Sequence, residues 1–273
     1  MSLPEELQLA LAKVDAPVEK LDQGWIFNCD NRLVFESLPD NSIDLIITDP
    51  PYKDYQSNRP VKHEKVKKIL ESDFDLPYFI EQSARVLKPG AHFYCWCDHL
   101  TFPGIVGEMK RQMEQQIEQI KQKDMRHYLT YKNMLVWVKN NHGSGDLKGN
   151  YAPQHELVIF GCKGDKGRKL NGKRQPNVYF KRDSTKSAVK FFSKVPNTVH
   201  THGTSKPVII QIEMIEKSTK RKNLVLDPYA GSMSTGMASK RIGRSFLLVE
   251  YDSGHYGNGI ERLKGNSQRT IEE

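Results

Sequence analysis

Ile43-Asp44-Leu45-Ile46-Ile47-Thr48 is an apolar run that breaks off at Asp49-Pro50-Pro51-Tyr52, and Asn223-Leu224-Val225-Leu226 does the same at Asp227-Pro228-Tyr229-Ala230-Gly231. Short leucine-rich or β-branched runs bounded by turn residues suit strands buried on both faces of a parallel sheet. Further strands are expected at 92–97, 133–138, 157–161 and 245–250, with a short one at 25–28. Helical patterns occupy 77–87, 104–126, 207–218, 233–241 and 254–264, the first ended by the stop signal Lys88-Pro89-Gly90. Within 104–126, Ile105, Met109, Met113, Ile117 and Ile120 form one stripe, read as core or partner packing. Strands alternating with helices predict an α/β fold with a doubly wound, mostly parallel sheet. Residues 53–72 are polar and basic and follow directly from Tyr52, so a mobile loop over a site is expected there.

The chain has 273 residues, which suits one substantial domain or one with a small appended module. No run of about 18 apolar residues is present, so no membrane span is expected. The N-terminus lacks the basic-then-apolar order of a signal peptide. None of the four cysteines has a partner at zinc-knuckle spacing, and they read as reduced thiols of a cytoplasmic protein. The formal net charge is +8, and its location says more than its size. From Lys163 to Lys194 eleven lysines and arginines face two aspartates, more positive charge than the whole chain nets. Tyr179, Phe180, Phe191 and Phe192 interleave with those cations. Charge runs are usually solvated faces; cations mixed with aromatic rings favour a polyanion with stackable bases.

The two turns carry the chemistry. In open α/β sheets, ligands bind outside the carboxyl ends of the strands. Pro50 and Pro51 fix the first turn and carry no amide donors, leaving an acceptor-rich corner beside the Tyr52 ring. Such a corner fits a planar base bearing an NH2: the ring stacks, and Asp49 and the Pro50 carbonyl accept its two N–H bonds. That base must leave a duplex to reach the corner. The second turn runs on through Ser232-Met233-Ser234-Thr235-Gly236 into a helix. Gly231 permits close backbone approach, and a helix N-terminus offers free N–H groups to a carboxylate or phosphate. Glu250 ends the next strand about 20 residues on, where an acid can take both hydroxyls of a ribose. Together they suggest an adenosine-bearing cofactor; a tight turn plus a surface acid is the plain alternative.

Several spaced motifs in one order resemble the DNA amino-methyltransferases in their β arrangement, where the catalytic motif precedes the cofactor motif. The resemblance covers roughly 25–264. It includes Asn28-Cys29-Asp30, Leu38 to Asp44 with the Asp49 turn, Arg85 to Gly90, Trp137 to Asn140, His155-Glu156, Thr204 to Pro207, the Asp227 turn and Glu250. It implies that Asp49, Pro50, Pro51 and Tyr52 hold the target base. It implies S-adenosylmethionine as cofactor, with Asp227, Tyr229, Gly231, Ser232, Ser234 and Thr235 around its methionine part. Thr204 and Lys206 would then reach the cofactor's carboxylate, Glu250 its ribose and Asp30 its adenine. Segment 163–200 falls at the family's target-recognition region, so Lys163, Lys173, Arg174, Lys181, Arg182 and Lys186 are the expected contacts to double-stranded DNA. The division implied is a catalytic half over 1–162, this insertion, and a cofactor half over 201–273. A homodimer and a cognate restriction endonuclease are partners the family suggests.

The turn departs from the family's Asp-Pro-Phe-x-Gly-Ser-Gly-Thr: Tyr229 replaces Phe, and Met233 and Ser234 stand where Gly and Thr are expected. A side chain at 233 is expected to narrow the pocket. No cysteine follows a proline, which excludes the nucleophilic Pro-Cys turn of C5-cytosine enzymes. Asp49, where N4-cytosine enzymes of this arrangement more often carry Ser, favours N6 of adenine. N4 of cytosine stays open as the first alternative, and an RNA methyltransferase or an inactive DNA-binding homologue as the second.

Overall fold

The protein is described from a computed structural model at residues 3–51, 74–122, 126–139, 149, 151–152, 154–179 and 205–265, and in backbone at 181–182 and 189–190. In chain order the elements are α1 (Glu5–Leu11), β1 (Val18–Leu21), β2 (Gly24–Asn28), α2 (Asn31–Ser37), β3 (Ile43–Thr48), α3 (Leu76–Val86), β4 (Leu87–Cys97), α4 (Phe102–Gln119), β5 (Leu129–Val138) and β6 (His155–Lys163). Then come β7 (Val178–Tyr179), β8 (Lys181–Arg182), β9 (Val189–Lys190), α5 (Val208–Ser218), β10 (Leu224–Asp227), α6 (Ser234–Arg241), β11 (Ser245–Glu250) and α7 (Ser253–Lys264).

One sheet runs in the order β1-β2-β11-β10-β3-β4-β6-β5-β7, and β8 pairs with β9 apart from it. The five strands β2, β11, β10, β3 and β4 are parallel, while β6 runs against its neighbours β4 and β5. All six residues of β3 are buried, because side chains alternate between two cores. Ile46 joins the layer formed with α1 to α4; Leu45 and Ile47 join the layer formed with α5 to α7. A strand covered on both faces needs no polar alternation, which is why 43–48 reads as a continuous apolar run.

From β3 the chain crosses to β4 by α3 on one face; from β10 it crosses the opposite way to β11 by α6 on the other. Right-handed crossovers in opposite directions must lie on opposite faces. The switch point therefore falls between β3 and β10, with a crevice at their carboxyl ends. Strands β10 and β11 insert between β2 and β3, so the two ends of the chain build one sheet.

Several predicted boundaries move. The helix at 77–87 stops at Val86 as its signal implies, but β4 begins at once: Leu87 pairs with Ile43, and Gly90 turns the chain at φ 71°. Helix α4 ends at Gln119 rather than 126. Ile120 is extended, and the Arg126 guanidinium donates to the Ile120 carbonyl at 2.9 Å and the Ile117 carbonyl at 3.3 Å, satisfying the open helix end. Its stripe is core only in its first half: Ile105 and Met109 are buried, Ile117 exposed. Residues 53–72 lie outside the described residues. Among the described residues no helix is long and apolar enough to cross a membrane. All four cysteines are free.

A buried polar chain clamps the segment after β6 to the sheet. His92 Nε2 lies 2.9 Å from the Arg168 carbonyl, an acceptor only, so this nitrogen carries the proton. Nδ1 then accepts from the Ser218 hydroxyl at 2.9 Å, and Ser218 Oγ accepts from Tyr94 at 2.9 Å. Burial holds the His92 ring below its ordinary value of 6.5, with the Arg168 carbonyl opposing and the Arg168 charge reinforcing. Its folded pKa is depressed, so its contribution is intact above about pH 6.5 and lost as the unfolded chain protonates below it. The stability difference between wild type and His92→Phe, from urea unfolding, should therefore shrink between pH 7.5 and 5.5.

Candidate active site

Asp49 follows β3 and Asp227 ends β10, so two acids meet at the switch point. Their surroundings differ. Asp227 is buried and held by neutral donors: Thr48 Oγ1 at 2.8 Å, Thr235 Oγ1 at 2.6 Å and the Tyr229 amide at 3.1 Å. Thr235 Oγ1 also lies 2.7 Å from Gln211 on α5. Burial pushes Asp227 up to about 6 against those hydrogen bonds. Asp49 instead meets a cation, Lys206 Nζ, at 2.8 Å. Lys206 also reaches Glu156 at 2.9 Å, and Lys139 holds the other oxygen of Glu156 at 2.7 Å. The Lys206 ammonium sits 5.3 Å over the Trp96 ring. Burial alone would raise Glu156, but the two lysines hold it down to about 2.

The second turn is fixed from three sides. Glu250 accepts from the Gly231 amide at 2.7 Å and the Asp252 amide at 2.8 Å. Burial still pushes it up to about 7. Arg262 of α7 donates to the Ser232 carbonyl at 2.7 Å and to Ser234 Oγ at 3.2 Å. The Tyr229 ring stands edge-on to Phe74 and Phe79, anchoring the turn in the first core.

Thr48, Asp49, Trp96, Lys206, Gln211, Asp227, Tyr229, Ala230, Gly231, Ser232, Ser234 and Thr235 line one cleft. The cleft measures about 70 Å³, well below the ~300–1,000 Å³ of complete ligand pockets. The Trp96 indole N–H, buried beside it, has no hydrogen-bond partner among the described residues, the kind of orphan a bound group satisfies. Pro50 is buried and Pro51 partly exposed, and neither lines the cleft. Asp30 lies past β2 and caps α2 through the Arg32 amide, with the Arg32 guanidinium on its carboxylate at 2.6 Å. Tyr52, Thr204 and Lys186, and the side chains of Lys181 and Arg182, lie outside the described residues.

Two sequence expectations are corrected. Met233 does not narrow the cleft. Its backbone is left-handed (φ 62°), and its side chain is fully buried against α7. There a Cβ on Gly259 would meet Met233 Cγ at 2.2 Å, so the missing side chain at 259 makes the room. Lys163 is not a DNA contact: it is buried, and its three N–H groups go to Asn41 at 2.7 Å, the Arg85 carbonyl at 3.0 Å and His127 at 3.1 Å. Burial lowers it to about 8. It ends β6, whose second residue is Glu156, and so lies at the opposite edge of the sheet. Lys173 is exposed, and its carbonyl takes Lys217 at the end of α5, a helix length from Lys206; Arg174 is exposed next to it. Tyr179, read as a stacking ring, packs on the second core. Thr48, Trp96, Gln211, Lys139 and Glu156 were given no roles from sequence. Glu156 carries a signal, an acid standing directly before the apolar run Leu157 to Phe160.

A doubly wound sheet with a hydroxyl-lined turn at its switch point and an acid, Glu250, ending the next strand is the framework of the methyltransferase fold. The chain belongs to the DNA methylase family of N6 and N4 methyltransferases, whose model matches residues 43–259. Type II methyltransferase M.HpaI of Haemophilus parainfluenzae is 29% identical over 257 residues, 89% of this chain and 74% of that protein. DNA adenine methyltransferase YhdJ of Escherichia coli is 26% identical, covering 91% and 85%. The crystal structure of an M1.HpyAVI–SAM complex superposes with a TM-score of 0.59 at 20% identity, covering 87% of this chain and 98% of that one.

Met233→Gly tests the packing assignment. It relieves roughly 1–2 kcal/mol of left-handed strain but forfeits roughly 2–5 kcal/mol of buried side chain. The variant should melt lower in a thermal scan, while its dissociation constant for S-adenosylmethionine, measured by calorimetry, stays unchanged.

Proposed function

We propose that this protein transfers a methyl group from S-adenosylmethionine to N6 of adenine in DNA. The observation that carries the reading is the pairing of unlike acids at the switch point, Asp49 on a buried lysine and Asp227 among hydroxyls. The donor set fits the cofactor. Glu250 would take the ribose hydroxyls, Ser232 and Ser234 with the α6 N-terminus the carboxylate, and the acids of the cleft would favour a positive sulfonium. When bound, the cofactor supplies an electrophilic methyl. Asp49 and the Pro50 carbonyl would accept the two N–H bonds of an extruded base, directing its nitrogen lone pair into the cleft. No proton need leave before attack, so placement and electrostatics supply the rate. Asp rather than Ser at 49 supports adenine, as does the likeness to an enzyme named for adenine. The family itself spans N6 and N4 products.

Tritiated methyl transfer to unmethylated DNA, with nucleosides separated, tests this. Label is expected in N6-methyladenine; label in N4-methylcytosine would overturn the base assignment. Asp49→Ala should abolish transfer and leave cofactor binding nearly intact, and wild-type turnover in that variant would sink the mechanism. A second expectation comes from Glu250. Its carboxyl accepts on both oxygens at full strength only when ionised, and its folded pKa is raised to about 7. Cofactor affinity should therefore strengthen as pH rises from 6 to 8, and Glu250→Gln should flatten that profile.

A further inference from the structure

The charges beside Asp49 form a line across the carboxyl edge. Asp49 follows β3, Lys206 precedes α5, Glu156 is the second residue of β6 and Lys139 follows β5, with neighbours in the order Asp49, Lys206, Glu156, Lys139 no more than 2.9 Å apart. Lys206 spans the end of β4, over Trp96, to join acids that lie two strands apart. Lys139 sits 5.5 Å over the Trp137 ring. Two indole faces thus floor a row of alternating charges whose formal sum is zero. Burying charges this way is costly unless each is paired, so the row is a weak source of stability. What it can do is fix a position. Lys206 is itself buried, and a lysine stem lets its ammonium roam unless both sides hold it.

We propose that Glu156 and Lys139 are positioning residues for methyl transfer, holding Lys206 between two acids so that the Asp49 carboxylate keeps one orientation toward the target base. This rests on the function proposed above. It also gives Lys206 a different task from the one the family resemblance implies, reaching the cofactor's carboxylate. Without Glu156 the ammonium has one acid to face, closes on Asp49 and competes with the base for its oxygens. Glu156→Gln keeps the shape and removes the charge, leaving the row with one excess positive charge. Removing the charge of Lys139 as well restores neutrality.

The experiment measures methyl transfer and cofactor binding on Glu156→Gln, Lys139→Met and the double variant, all as full chains. Glu156→Gln should lose between about 10- and 100-fold in kcat, the scale of a misplaced reactive group. Cofactor affinity by calorimetry should be unchanged. The double variant should recover most of the loss. The alkaline limb of the kcat profile should move to lower pH in Glu156→Gln, because Lys206 loses one of the acids that keep it charged. Wild-type kcat in Glu156→Gln overturns the proposal. Loss of kcat together with cofactor affinity, or no recovery in the double variant, also overturns it, since a structural defect behaves that way. A wild-type protein that methylates no DNA overturns the function reading, and this one with it.

Discussion

Two carboxylates stand where adjacent parallel strands end, and the carboxyl edge of this sheet must accommodate both acids, one of them fully buried. Asp227 is accommodated by neutral donors: two threonine hydroxyls and a backbone amide surround it, and burial raises its affinity for a proton. Asp49 is accommodated by a cation, Lys206, which is itself buried and shared with Glu156. Low dielectric makes each arrangement matter more than it would in water. Two like groups are thus treated asymmetrically, one by a charge and one by neutral dipoles.

The placement of those acids follows from chain topology. β3 and β10 lie side by side with their connections diverging to opposite faces, and a crevice opens where they part. The order of the two halves along the chain does not alter this geometry, because β10 and β11 insert between strands from the first half. Glycine is needed where α6 meets the sheet: a Cβ on Gly236 would lie 2.6 Å from Leu248 Cδ1, so the helix could not sit as close to β11.

Much of this was legible in the sequence. Runs 43–48 and 245–250 match β3 and β11 end to end, because strands buried on both faces leave an unbroken apolar signature. Asp49, Asp227 and the serines of the second turn were legible because turn residues after such strands sit at the carboxyl edge. Short elements such as α1, β1 and α2 were not, since seven residues or fewer carry too little periodicity. Nor was the fate of individual cations. Charge counting placed Lys163 with its neighbours on one surface, whereas three acceptors supplied by distant segments bury it. Nor was the direction of Met233 legible, since it depends on a left-handed φ and on space made at residue 259.

That last pairing has an evolutionary side. Positions 233 and 259 share one volume, filled from the turn in this chain and vacant on the helix. A relative that restores glycine to the turn leaves a hole that only a larger residue at 259 can close. A relative that adds a side chain at 259 must first clear the turn. Either single step passes through a misfit, so the two positions are constrained to change as a pair. The side chain at 233 is accommodated entirely behind the wall of the cleft, where residue 259 leaves it room.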